Sequence, residues 1–245
     1  SWALDLLENL RERSLMQPHI APADPTTPRL RLLESVRAYA AERLEERGET
    51  EAAEALHRDW FVARGEALAD RLRGAGARQA MAELGLSIPD LVAVHERWAV
   101  RAPKEAVRAA LAAIPWLFRQ GPIETHHRLL DDCARIAESG ALPLDVQCRV
   151  HLRQCMADSH VGRAEIGEVA GNRALELARA AGDRLIEGRA LLALSVVQRN
   201  RGRTAEGEVL TRQALAIHEA DGHGADARHT RLSLASSNTD DVISE

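Results

Sequence analysis

The sequence predicts an all-α fold, a stack of helical repeats preceded by a small helix–hairpin–helix unit, and three observations carry that expectation. Leu and Ala dominate the 245 residues while aromatics supply only 3%, so the aromatic and β-branched faces of a large sheet are missing. Apolar residues recur at three- and four-residue spacing along most of the chain, the period of a helix with one buried face. Beyond Pro143 there is no proline, and residue identities return at a fixed offset. With 45% hydrophobic and 28% charged residues the chain can bury a sizeable core, which excludes disorder by composition.

Trp2, Leu6 and Leu10, with Ala3 and Leu7 beside them, mark an amphipathic helix ending near Arg13. Ser14 to Ile20 and Arg29 to Leu33 bracket a stretch holding Pro18, Pro22, Pro25 and Pro28, which no helix can contain. It reads as two short strands joined by a loop. Leu33, Val36, Ala40 and Leu44 then share one face of a helix that Gly48 stops. Glu49 to Arg73 is again helical until Gly74 and Gly76 break it, and a shorter helical piece reaches Gly85. Ser87 is the expected N-cap of a helix running to about Arg101, with Pro89 in its first turn and Asp90 three positions after the Ser. Pro103 opens a further helix that Pro115 should kink. The expected division is residues 1–48 as a helix–hairpin–helix unit, 49–101 as connecting helices, 102–236 as repeats and 237–245 as a polar tail.

The repeat offset is 40 residues, carried by Arg149 with Arg189, Leu152 with Leu192, Gly162 with Gly202, Gly167 with Gly207, Ala174 with Ala214, and Gly182 with Gly222. Each unit is a helix, a Gly turn, a second helix and a Gly stop. Neither unit can bury its apolar face alone, so the units must stack. An earlier copy fits at an offset of 41, with Gly121 in the turn and Cys133 in the place of Ala174 and Ala214, and a partial fourth begins near Ala225.

Several chemistries are disfavoured. The net charge is −5 with no long block of like charge, so no bulk nucleic-acid footprint is visible. The longest nearly apolar run, Ala190 to Val197, falls far short of the roughly 20 residues a membrane-spanning helix needs. Ser1 opens directly on a helical pattern, without an initiator Met or a leader, which suggests a piece of a longer chain. Cys133, Cys148 and Cys155 form no CxxC and leave one thiol over in any pairing, as suits a reducing cytoplasm. No cofactor is expected. Cys148, His151 and Cys155 share a helical face, but the outer pair is separated by about 10.5 Å of rise, too far to close on one metal ion. They read as core residues. His57-Arg58-Asp59 imitates the start of a kinase catalytic loop, yet Arg64 stands where that loop needs Asn. His126 and His127 point about 100° apart and have no partner placed by sequence. No catalytic or metal site is expected.

The spacing from Gly202 to Ala214, with Leu191 and Leu194 before the turn, resembles a lengthened tetratricopeptide repeat, whose period is roughly 40 rather than 34 residues. Gly167 and Gly207 stand where that family usually has Ala, and Asp158 and Gln198 fill its aromatic positions, which predicts looser packing of the helices. Upstream, Leu6-Leu7-Glu8-Asn9-Leu10-Arg11-Glu12-Arg13-Ser14-Leu15 is followed by Arg31-Leu32-Leu33-Glu34-Ser35-Val36-Arg37-Ala38-Tyr39-Ala40, then His57 and Trp60-Phe61. With Ile88-Pro89-Asp90-Leu91, Trp98, Trp116 and Phe118, this resembles the region after the nucleotide-binding core of bacterial STAND-class signal-transduction ATPases, including relatives of the antibiotic-regulatory family.

That resemblance implies a winged-helix-like unit with a short β-hairpin leading into a right-handed solenoid of tetratricopeptide-like repeats. It implies a cytoplasmic sensing or scaffolding module coupled to an ATPase, and often to a DNA-binding or kinase domain elsewhere. Its partner would be a protein or peptide, or the upstream domain of the same chain. No GxxxxGK[ST] phosphate loop occurs, so ATP hydrolysis is not expected of these residues. The alternative is a transcription factor fragment whose winged helix touches DNA, although the helix after the hairpin mixes Arg37, Arg43 and Arg47 with Glu42, Glu45 and Glu46.

One stripe stands out as a partner-binding surface. Arg108, Arg149 and Arg189 occupy the same position in three successive units, and Leu111, Leu152 and Leu192 follow three residues later. In tetratricopeptide-like stacks that first-helix face lines the concave groove. Two readings stay open: the arginines bind an acidic peptide or partner segment through charge-assisted bonds, or they pair with neighbouring Glu and Asp as a solvated face.

Overall fold

The computed structural model describes residues 2–21 and 24–243, with side chains placed for residues 2, 4–18 and 30–235. These residues are mostly helical, with one two-stranded antiparallel hairpin near the start. α1 (Trp2–Glu12) ends in a left-handed turn at Ser14 and leads into β1 (Met16–Ala21) and β2 (Asp24–Leu32). Met16 pairs with Leu32 and Pro18 with Leu30, and the register shifts between His19 and Ala21. β2 is longer than the proline pattern suggested, because Pro25 and Pro28 lie inside it, while Pro22 falls outside the described residues. In a two-stranded sheet every strand has an open edge, where a missing N–H breaks no ladder bond.

α2 (Glu34–Glu46) stops at Gly48, which takes φ +66° as the C-terminal turn requires. The apolar face expected there stays largely open: among the described side chains, none before Val62 is buried. α3 (Thr50–Arg71), α4 (Ala77–Gly85) and α5 (Ile88–Trp98) follow. Ser87 does not cap α5 with its side chain. Its backbone is already near-helical, and its hydroxyl donates to the Glu83 carbonyl at 3.3 Å. Asp90 meets His57 at 3.2 Å instead of completing a cap, and α5 ends at Trp98, short of Arg101. α6 (Pro103–Gln120) continues through Pro115 as one helix.

The remaining helices are α7 (Ile123–Glu138), α8 (Leu144–His160), α9 (Ala164–Ala181), α10 (Arg184–Asn200), α11 (Thr204–Ala220) and α12 (Gly224–Ile243). Residues 237–243, expected as a polar tail, extend α12, since no Gly or Pro interrupts them. The matched positions repeat their geometry. Gly162 and Gly202 take φ +77° and +76°, and the N–H groups of Arg163 and Arg203 reach back to the carbonyls of Asp158 and Gln198 at 2.9 Å each. Gly121 does not follow: its backbone is extended, and Pro122 opens α7.

Packing at the matched glycines is closer than the missing aromatics suggested. A Cβ on Gly167 would lie 3.2 Å from the Cys155 carbonyl oxygen, and one on Gly207 would lie 2.8 Å from that of Ser195. Cys133, Ala174 and Ala214, equivalent in the repeat, are all fully buried. The core is a chain of overlapping clusters. The first runs from Val62 to Val150 and crosses residue 101 without a break, so the helices on both sides of that expected boundary share one interior. α8 passes from it, with Val146 and Val150, into a second cluster with Cys148, Leu152 and Cys155. α10 likewise joins the second cluster to a third, which holds Leu191, Leu192, Ala214 and Ile217.

Candidate functional site: an arginine-lined cleft

Four helices turn one face each toward a cleft of about 440 Å³. α6 contributes Lys104, Arg108 and Leu111, and α8 contributes Asp145, Arg149, Leu152 and Arg153. α10 adds Ile186 and Arg189, while Glu66, Asp70 and Arg73 come from α3 and the turn just after it. Spacings of three and four residues put each set on one helical face.

Of the six residues of the expected stripe, five line this cleft. Leu192 does not: it is buried in the third cluster beside Ala214 and Ile217, because α10 turns that position toward α11. The three arginines differ in what they hold. Arg108 grips Glu66 through two bonds of 2.7 and 2.5 Å, which raises its pKa. Arg189 holds both carboxylate oxygens of Asp226 at 2.9 and 3.0 Å. Arg149 is the loosest, 4.0 Å from Asp183 and 47% exposed. Pairing with acidic neighbours therefore describes Arg108 and Arg189 well and Arg149 poorly.

Two residues of the cleft were not singled out from sequence. Arg73 shares Asp226 with Arg189 through a charge-assisted hydrogen bond. Burial and the charge of Arg189 lower the Arg73 pKa, against the pull of Asp226. Arg153 lies on α8, one turn after Arg149, and no carboxylate pairs with it among the described residues; its one hydrogen-bond contact is to the Met156 sulfur at 3.9 Å. Burial, with the charges of Arg73, Arg189, Arg149 and Arg119, pulls its guanidinium down to about 9, so it still carries its proton at neutral pH. The readable signal was a mismatch: the positions equivalent to Arg153 in the neighbouring units are Ala112 and Ala193.

The other reactive-looking side chains are built into the interior. Cys148 donates to the Asp145 carbonyl at 3.1 Å, Cys155 packs in the second cluster, and His151 meets Gln154 at 2.8 Å. Burial pushes the Cys133, Cys148 and Cys155 thiols up to about 12, 11 and 12, far from the thiolate that attack or metal binding requires. His126 is buried against Phe118, its Nδ1 without a partner, and burial lowers its pKa, helped by His127 and Arg153. On α2, Arg37 pairs with Glu34 and Arg43 with Glu46, which dilutes the positive face a DNA-reading helix would show. Among the described residues no helix is long and apolar enough to cross a membrane. No protein-family model matches the chain, and no curated protein matches it in sequence.

Proposed function

We propose that the chain is a non-catalytic recognition and sensing module of a multidomain bacterial signalling regulator. In this reading a winged-helix-like unit leads into a right-handed stack of tetratricopeptide-like helix pairs from a STAND-class ATPase. The cleft is the surface where an acidic ligand is read, whether carried by a partner or by a free molecule. One observation carries the proposal: Arg108, Arg149 and Arg189 stand at one repeat position on α6, α8 and α10 and line one cleft. The recurring glycine turns and overlapping core clusters support the stacked-pair part of the reading. The N-terminal unit, with no buried side chain described before Val62, suits a segment that completes its packing against another domain.

The test is anisotropy of a fluorescein-labelled oligoglutamate peptide titrated with the chain. Arg149→Glu is the informative variant, because Arg149 holds its acidic neighbour only at 4.0 Å, whereas Arg189→Glu would set two carboxylates against each other at Asp226. Binding that weakens with salt and drops by roughly tenfold in Arg149→Glu supports the reading; peptide binding indifferent to Arg149, or binding of neither the peptide nor a small anion such as phosphate, overturns it.

A further inference from the structure

We infer that the floor of this cleft, centred on Arg153, is a binding site for the phosphoryl group of a small phosphorylated molecule. The inference rests on the sensing role proposed above and names the ligand class. It begins from a residue that folding alone does not explain. In the neighbouring units the positions of Arg153 are Ala112 and Ala193, both buried, so the helix packing is satisfied by a methyl group there. At the middle unit the chain instead places its longest cation on the cleft wall, where no carboxylate meets it among the described residues. A guanidinium partly withdrawn from water and left without a carboxylate carries a cost, and it persists where a counter-charge arrives from outside.

The local charges call for an anion. Arg73, Arg119, Arg149 and Arg189 all act on Arg153 through space, making five guanidinium groups. Facing them are Asp226, shared by Arg73 and Arg189, then Asp183 at 4.0 Å from Arg149, and Asp70, which acts on Arg73. Arg119 is exposed and lies outside the cleft lining, so four guanidinium groups of the cleft face these three carboxylates and one positive charge, that of Arg153, is left unmatched. At the other end Arg108 and Lys104 stand against Glu66 and Asp145, with Arg108 held by Glu66, so the excess sits toward Arg153. A phosphate monoester carries about two negative charges at neutral pH and presents three acceptor oxygens, which suits planar guanidinium donors. The volume of about 440 Å³ exceeds what a lone phosphate needs and falls in the range of small-ligand pockets, leaving room for the organic part.

The experiment is calorimetric titration of the 245-residue chain with glycerol phosphate, inorganic phosphate and acetate, ionic strength being held with chloride. Wild type, Arg153→Ala, Arg153→Lys and the remote surface variant Arg173→Ala are compared. The expected result is one site per chain that prefers both phosphates to acetate. Arg153→Ala weakens it by roughly tenfold or more, Arg153→Lys by less, and Arg173→Ala leaves it unchanged. Tighter binding of glycerol phosphate than of inorganic phosphate supports a phosphorylated molecule as the ligand, and the reverse overturns that assignment in favour of the free ion. Without ligand, Arg153→Ala should melt no lower than wild type, because it removes an unpaired cation and restores the Ala of the neighbouring units. Absence of phosphate binding, acetate binding as tightly, or a phosphate affinity indifferent to Arg153 overturns the inference. Oligoglutamate binding through Arg149 with no phosphate site would overturn this inference alone, and loss of both would overturn the sensing role as well.

Discussion

Arg73, just past the end of α3, and Asp226, in the first turn of α12, lie 153 positions apart in sequence and share a charge-assisted hydrogen bond. Arg189 on α10 completes the triad from the other side. Burial alone would raise the Asp226 carboxyl, but the hydrogen bonds and charges of Arg189 and Arg73 outweigh it and hold the pKa at about 2. Asp226→Asn leaves the Arg73 and Arg189 guanidinium groups facing each other with only the more distant Asp70 charge near Arg73, and it should cost about 3 kcal/mol, read as a lower midpoint in urea.

The same triad sets one half of the acid response. A carboxyl whose folded pKa lies below its ordinary value stabilises the fold above that ordinary value and loses the contribution as pH falls through the folded one. For Asp226 the window runs from pH 3.8 down to about 2, and Asp226→Asn should abolish that part of the decline. A second loss should begin higher. Burial lowers the pKa of His126 and His218, whose free value is 6.5, so charging them opposes folding once pH drops below that value. Urea midpoints measured across pH should fall in two separate stages, and a flat profile between pH 7 and 5 would contradict the histidine assignment.

Gly167 and Gly207 occupy one repeat position, yet their substitution should not cost the same. Alanine is favoured over glycine inside a helix by about 1 kcal/mol. At Gly167 the new methyl would meet the Cys155 carbonyl at 3.2 Å, a contact that a small shift relieves, so the two effects nearly cancel. At Gly207 it would meet the Ser195 carbonyl at 2.8 Å and the Arg199 side chain at 2.9 Å, and backbone cannot swing aside. Gly207→Ala should destabilise by about 2 kcal/mol while Gly167→Ala stays within about 1 of wild type, both by thermal melting.

What could be read without coordinates follows from what each signal is made of. The 40-residue offset was legible because left-handed turns at Gly162 and Gly202 restrict the residue type sharply. The hairpin was legible as a hairpin but not in extent, because prolines hide strand periodicity even where an open edge accepts them. Ser87 misled: its composition matches a cap, but its near-helical backbone sends the hydroxyl back to Glu83. At the cleft, seeking identities among repeats found Arg108, Arg149 and Arg189 and passed over Arg153, whose signal is a difference from Ala112 and Ala193. Arg73 and Asp226 left no local trace, since nothing in either segment announces a partner so distant.

The thiols offer a test of the interior. With Cys133, Cys148 and Cys155 buried and their pKa values pushed up to between about 11 and 12, only a minute thiolate fraction exists at pH 8. A disulfide reagent should label the native chain slowly at that pH and all three cysteines quickly in denaturant. Cys148, with the smallest shift, should lead. Rapid native labelling of Cys133 would mean that the first core cluster opens far more readily than its packing implies.

Direct DNA contact by the N-terminal unit is testable on its own. Arg37 and Arg43 on α2 are each paired with a glutamate three residues away, so the helix offers phosphates little free positive charge. Random duplex DNA at low salt should not be retarded in a gel by the chain. A retarded band whose affinity falls steeply with added salt would instead favour a DNA-reading role.

Proteolysis should expose the unequal stability of the two ends of the N-terminal half. No side chain described before Val62 is buried, and α2 includes Arg37, Arg43 and Tyr39 on its open surface. From Val62 onward the first core cluster ties α3, α5 and α6 together, with Leu68, Leu91 and Val107 among its members. Segments with few buried contacts open at low free energy and are cut first. Brief trypsin treatment should therefore remove the hairpin and α2 and leave a fragment beginning between α2 and the middle of α3, identified by mass. Persistence of an intact N-terminus under conditions that cut α9 or α11 would show that the hairpin unit is held by contacts stronger than its exposure allows.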